Sequence, residues 1–205
     1  MKTTGFPALI DSLVVIVLSG ITPLFGQTAP SDFTTEPDKT MAASHESFVK
    51  GEKDKAAEQL HKAAAYVKAE SKKVAASAKD DLKEAGESLD KLGDRVKDGT
   101  IKSGDELKQT FAKVDHEIAE GWHETAEKTK DAGEESEEAL RKAALALEGA
   151  AKWSGYKLKE GAQATVDALK KAGKKTGQGL KEGAKQFEGW LKSLGREIED
   201  LDRKL

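Results

Sequence analysis

His116, Glu120 and His123 are the residues whose types and spacing come nearest to chemistry. Imidazole and carboxylate are suitable ligands for Zn²⁺ or Cu²⁺. The i, i+4, i+7 spacing sets all three on one helical face, roughly opposite Ile118. The order is not the His-Glu-x-x-His of a zinc-protease helix, and a solvated face supplies no second layer of groups to orient ligands. The three are therefore read as ordinary solvated side chains, and no metal or cofactor is assigned. His45 and His61 stand alone. With no Cys anywhere, thiol nucleophiles, thiolate metal sites and disulfides are excluded. No Gly-x-Ser-x-Gly elbow occurs, and no phosphate-binding glycine motif follows a strand. The expectation is a protein that is not an enzyme.

The elements that would carry these side chains are helices. All four prolines lie at or before position 37, and Ala, Lys, Glu and Leu dominate the rest of the 205 residues. That composition favours helix throughout and no strand. Charged residues make up 35% and hydrophobic ones 37%, a balance better suited to long solvated helices than to a thick core.

The repeat length is the most informative feature. Leu147, Leu158, Leu169, Leu180 and Leu191 stand 11 residues apart, with small or apolar residues seven positions before each, from Leu140 to Ala184. Leu107, Phe111 and Val114, then Ile118, Trp122 and Thr125, hold the same offsets, and Val166 and Phe187 fall in phase. Eleven residues in three turns is about 3.67 per turn, so the stripe runs nearly straight along the helix. Such a stripe is expected to lie along a partner helix or a membrane surface. Trp153 and Trp190 fall off it unless the phase slips. Bends are expected near 99–104 and 149–155, the first allowing 42–98 to fold back on 105–150 as an elongated hairpin or bundle. The fold class expected is thus all-α, over residues 42–205.

Two further features bear on stability and partners. Residues 42–205 contain 16 Gly, each costing about 0.8–1.0 kcal/mol relative to Ala inside a helix. An isolated rod is therefore expected to be marginally helical in water and to fold when something covers its stripe. The net charge of −3 gives no global pull toward nucleic acid. Locally, 115–148 carries −7 and 152–192 carries +6. These blocks are expected to attract one another, to rest their lysines on anionic lipid, or merely to be solvated. A homo-oligomer is a further expectation for an uncovered stripe.

Residues 1–26 read as a secretory signal peptide: Lys2, the apolar run Leu13–Leu18, Pro23, and small residues after Gly26. An uncleaved anchor is the alternative, although Asp11 would cost about 2.5–3.5 kcal/mol near mid-span. Either implies export, to the periplasm or beyond the cell. Residues 27–41, with Pro30, Pro37, Ser31 and several Thr, read as a flexible linker.

The words LKEAG (82–86), LKEGA (158–162 and 180–184) and LKKAG (169–173), within the 11-residue period, resemble the group 3 late embryogenesis abundant proteins. They are also similar to the lipid-binding repeats of exchangeable apolipoproteins and synucleins, as in Lys157-Leu158-Lys159-Glu160-Gly161. The resemblance implies a hydrophilic, conditionally folded helix that protects membranes or client proteins during stress, or that coats lipid.

Overall fold

The computed structural model describes residues 35–172 and 184–205. The expected signal segment, most of the expected linker, and Leu180 lie outside the described residues. Within them the chain is all-α, as its composition requires. The helices are α1 (Glu36–Val49), α2 (Lys53–Glu70), α3 (Lys79–Lys97), α4 (Gly104–Lys128), α5 (Glu134–Ser154), α6 (Glu160–Ala172) and α7 (Ala184–Asp202), with a short 3₁₀ turn at Ala76–Ala78 before α3. None of these helices is long and apolar enough to cross a membrane.

The first helix corrects the linker boundary. Thr35-Glu36-Pro37-Asp38 is a helix start: the Thr35 hydroxyl accepts from the Asp38 N–H at 3.3 Å and donates to the Asp38 carboxylate. Pro37 sits in the first turn, where its missing N–H costs nothing. Asp38 and Met41 are already buried, so the fold begins at least six residues before position 42.

Five helices then run up and down as successive antiparallel neighbours, and each seam has its own registration. The Ser44 hydroxyl donates to the Ala56 carbonyl at 2.9 Å between α1 and α2. His61 Nδ1 meets Asp90 at 2.9 Å between α2 and α3. Arg95 reaches Glu106 across the next turn. Between α4 and α5, Phe111 meets Trp153 edge-on at 4.9 Å, while Lys142 stands 3.8 Å over the Trp122 ring. The expected bend at 99–104 is the α3–α4 turn. The second bend falls at Gly155, which ends α5 in the left-handed conformation (φ 73°). Gly149, by contrast, lies inside α5. The turns at 50–52, 71–75 and 129–133 have no counterpart in the expected organisation.

The 11-residue stripe is therefore not a single rod. Leu147 lies in α5, Leu158 in the connection, Leu169 in α6 and Leu191 in α7. What the period does mark is the inward face. Leu107, Phe111, Val114, Ile118 and Trp122 of α4, Leu140 and Leu147 of α5, Leu158, and Val166 and Leu169 of α6 are all buried. Phe187 and Leu191 are half-buried against the same core. These side chains cover one another, so within the described residues the stripe lies along neighbouring helices of the same chain.

Alanine and glycine set how closely the helices pack. The α2 face is Ala56, Ala57, Leu60, Ala63, Ala64 and Val67. A Cβ on Gly86 or Gly93 of α3 would come within 3.2 or 3.3 Å of α2 carbonyl oxygens. Glycines at such seams exchange helix propensity for backbone approach, so their cost is partly offset by contact.

Candidate functional site

The seam between α4 and α7 gathers the residues singled out for their chemistry. His116 is only 3% exposed, although its polarity and spacing read as a solvated face. Its Nε2 lies 3.1 Å from the carbonyl oxygen of Ile198. His123, two turns on, places Nε2 at 2.8 Å from the carbonyl of Leu191, two turns back along α7. A carbonyl can only accept, so both rings carry their proton on Nε2 and donate it. Two histidines seven residues apart thus hold two carbonyls seven residues apart on an antiparallel helix.

The sequence explains why mid-helix carbonyls are reachable. A carbonyl oxygen has two lone pairs, and the helical bond uses one. The residue four positions beyond Leu191 is Gly195, and a Cβ there would stand 2.9 Å from both Cε1 and Nε2 of His123. Gly195→Ala should therefore push the His123 ring off the Leu191 carbonyl. The expected outcome is faster hydrogen exchange along the N-terminal half of α7 and a loss of about 1–2 kcal/mol in stability. Unchanged exchange in that half would contradict the clasp.

Beneath this seam Leu194, Ile198 and Leu201 bury the lower half of α7. Glu197, 2% exposed, accepts the Lys159 N–H at 2.8 Å and so closes the N-terminus of α6. The upper half of α7 is different. Phe187, Trp190 and Leu191 are half-buried, and Lys185 and Lys192 beside them are exposed.

Of the three expected ligand candidates, the structure keeps two together and replaces the third. His116, Glu117 and Glu120 have ligand atoms all within 4.8 Å of one another. The ring of His123 is turned to Leu191 and does not join them. Glu117, one position after His116, lies outside the i, i+4, i+7 spacing and carries no ligand signal of its own in the sequence. Burial holds both Glu117 and Glu120 above the usual carboxylate range. Glu120 adds to the repulsion at Glu117, and Asp202 and Asp81 at Glu120, against the opposing pull of His116.

A second constellation escaped the sequence entirely. Asp38 of α1 and Asp115 of α4 are 2% and 1% exposed, facing the bare backbone of Gly149 in α5. Asp38 Oδ1 and Asp115 Oδ2 find no hydrogen-bond donor as ionised groups. Burial raises Asp38, and burial together with the Asp38 charge raises Asp115 well above the ordinary carboxylate value. A proton held on Asp115 and donated to Asp38 satisfies both. Nearby, a cleft of about 310 Å³ is lined by Tyr66, Ile118, Trp122, Arg141 and Lys142.

The aromatic side chains also differ from expectation. Trp122 is buried on the stripe, but Trp153 is buried as well, between Phe111 and His45. No phase slip is involved: α5 runs unbroken to Ser154, and Trp153 shares an inward face with Ala146 and Ala150 at i, i+4, i+7 spacing. Among the described residues the opposite charge blocks meet at Glu148, which pairs with Lys170 of α6 at 2.8 Å and with Lys152 of its own helix at 3.4 Å. Comparison with protein-family models, with curated proteins and with solved structures gave no match.

Proposed function

We propose that this is an exported, non-enzymatic stress-protection protein that binds anionic membranes or client protein surfaces reversibly through its amphipathic helices. The observation that carries this reading is the upper half of α7. Phe187, Trp190 and Leu191 are only half covered, and exposed Lys185 and Lys192 flank them. Aromatic and aliphatic groups with lysines at their margin suit the headgroup boundary of a lipid layer. The remainder of the stripe would follow only after the bundle opens, beginning where α7 is held least. The likeness of the LKEGA words to lipid-binding repeats supports the same reading.

The test uses the full chain with Trp122 and Trp153 replaced by Phe, so that Trp190 reports alone. On vesicles containing phosphatidylglycerol its emission should move to shorter wavelength, and added salt should reverse the shift. Lys185→Gln with Lys192→Gln should weaken binding roughly thirtyfold, at about 1 kcal/mol per Lys. Emission and helicity indifferent to anionic vesicles would overturn the proposal for lipid.

A second reading is favoured by the closed core. With Leu107, Phe111, Leu140 and Leu147 fully buried within one chain, the bundle could serve as a structural helical spacer of the cell envelope, alone or as an oligomer. A cooperative melt in plain buffer, unaltered by vesicles, supports that alternative.

A further inference from the structure

We propose that His116, Glu117 and Glu120 bind a divalent transition-metal ion of the Zn²⁺ class beside the acidic cleft between α3, α4 and α7. The argument begins with the imidazole. His116 Nε2 donates to the Ile198 carbonyl, so the ring is fixed in orientation and Nδ1 is the nitrogen left facing the carboxylates. Metal-binding histidines are commonly held in this way, one nitrogen anchored to a carbonyl and the other left for the ion. Nδ1 points toward Glu120, whose Oε2 lies 3.9 Å away. That is beyond a hydrogen bond, yet within the span a bound ion would bridge with small movements of the Glu side chain.

The surroundings supply more negative charge than they neutralise. The cleft of about 430 Å³ next to the three ligands is lined by Asp81, Glu117, Glu120, Glu124, Glu127 and Glu199, and none of its lining residues is Lys or Arg. Lys128 pairs with Glu124 at 3.6 Å and donates to Ser77, offsetting one of these six carboxylates. The contrast is His61 on the other side of α3. Both its ring nitrogens face carboxylates, Asp90 and Asp94, and Lys68 already pairs with Asp90. One imidazole nitrogen and two carboxylate oxygens favour Zn²⁺ and its first-row neighbours over Ca²⁺ or Mg²⁺, which prefer all-oxygen shells. Water would complete the coordination.

The proposal is independent of membrane binding, and its test needs no vesicle. Zn²⁺ is titrated into the full chain by calorimetry, while the imidazole nitrogens are followed by ¹⁵N NMR. The expected result is one saturable site with the Nδ1 resonance of His116 shifted. Glu117→Gln with Glu120→Gln, near-isosteric changes at half-buried and exposed positions, should keep the helicity and weaken Zn²⁺ binding by roughly 100-fold or more. His123→Ala should leave Zn²⁺ affinity within about twofold, because that ring serves Leu191. The proposal is overturned if the double Gln variant binds Zn²⁺ unchanged, if His61 or His123 shifts in place of His116, if Ca²⁺ binds as tightly, or if no binding is seen.

Discussion

Phe111→Ala is expected to remove about 3–5 kcal/mol of folding free energy, the range for truncating a fully buried Phe. Phe111, in α4, has no exposed surface and meets the edge of Trp153 of α5 at 4.9 Å with the rings at 66°. Its loss would leave a void beside a second buried aromatic, removing both transfer free energy and ring contact. Small domains are stable by about 5–15 kcal/mol, so the variant should lose a large part of its resistance to urea. Equilibrium denaturation followed by circular dichroism checks this. A change under about 1 kcal/mol would mean that α4 and α5 are not packed in this registration.

Asp115→Asn should act in the opposite direction at neutral pH. Burial and the neighbouring Asp38 raise the Asp115 carboxyl above its value in the unfolded chain. The folded state therefore holds a proton that the unfolded state releases. Stability is fully present below the ordinary carboxylate pKa of about 4 and falls as pH rises toward the elevated folded value. An amide offers Asp38 a permanent N–H donor in place of that proton. Asp115→Asn should thus gain about 1–3 kcal/mol near pH 7 and flatten the decline in stability above pH 4. Denaturant midpoints measured from pH 4 to 8 decide it. A wild-type chain that grows more stable with pH over this window would sink the account.

These two sites show where sequence reasoning reached and where it stopped. Phe111 belongs to the 11-residue period, and in α4 that period runs unbroken for six positions, so its inward face was legible. Helical content was legible for the same kind of reason: no proline after position 37, and strong helix formers throughout. The Asp38–Asp115 pair was not, because its environment depends on the absent side chain of Gly149, far from either residue in sequence. The start of α1 could have been found from Thr35-Glu36-Pro37-Asp38, whose cap, proline and acid are all local signals. The turn at 71–75 contains no glycine, and the one at 129–133 interrupts a stretch whose Thr129, Gly133 and Ser136 fall on the stripe. Neither breaks the period, so neither announced itself. The histidines misled through their polarity: they bond to backbone on another helix, a long-range contact that leaves no spacing signature of its own.

The paired clasp on α7 has a consequence for how this protein can vary. Because both anchor points recur at the same two-turn interval, α7 behaves like a key with two teeth. One extra residue between Leu191 and Ile198 would rotate one tooth by about 100° relative to the other. Only one lock could then engage. Substitutions along the outer face of α7 should be well tolerated, while insertions or deletions within that eight-residue window should free half of the helix.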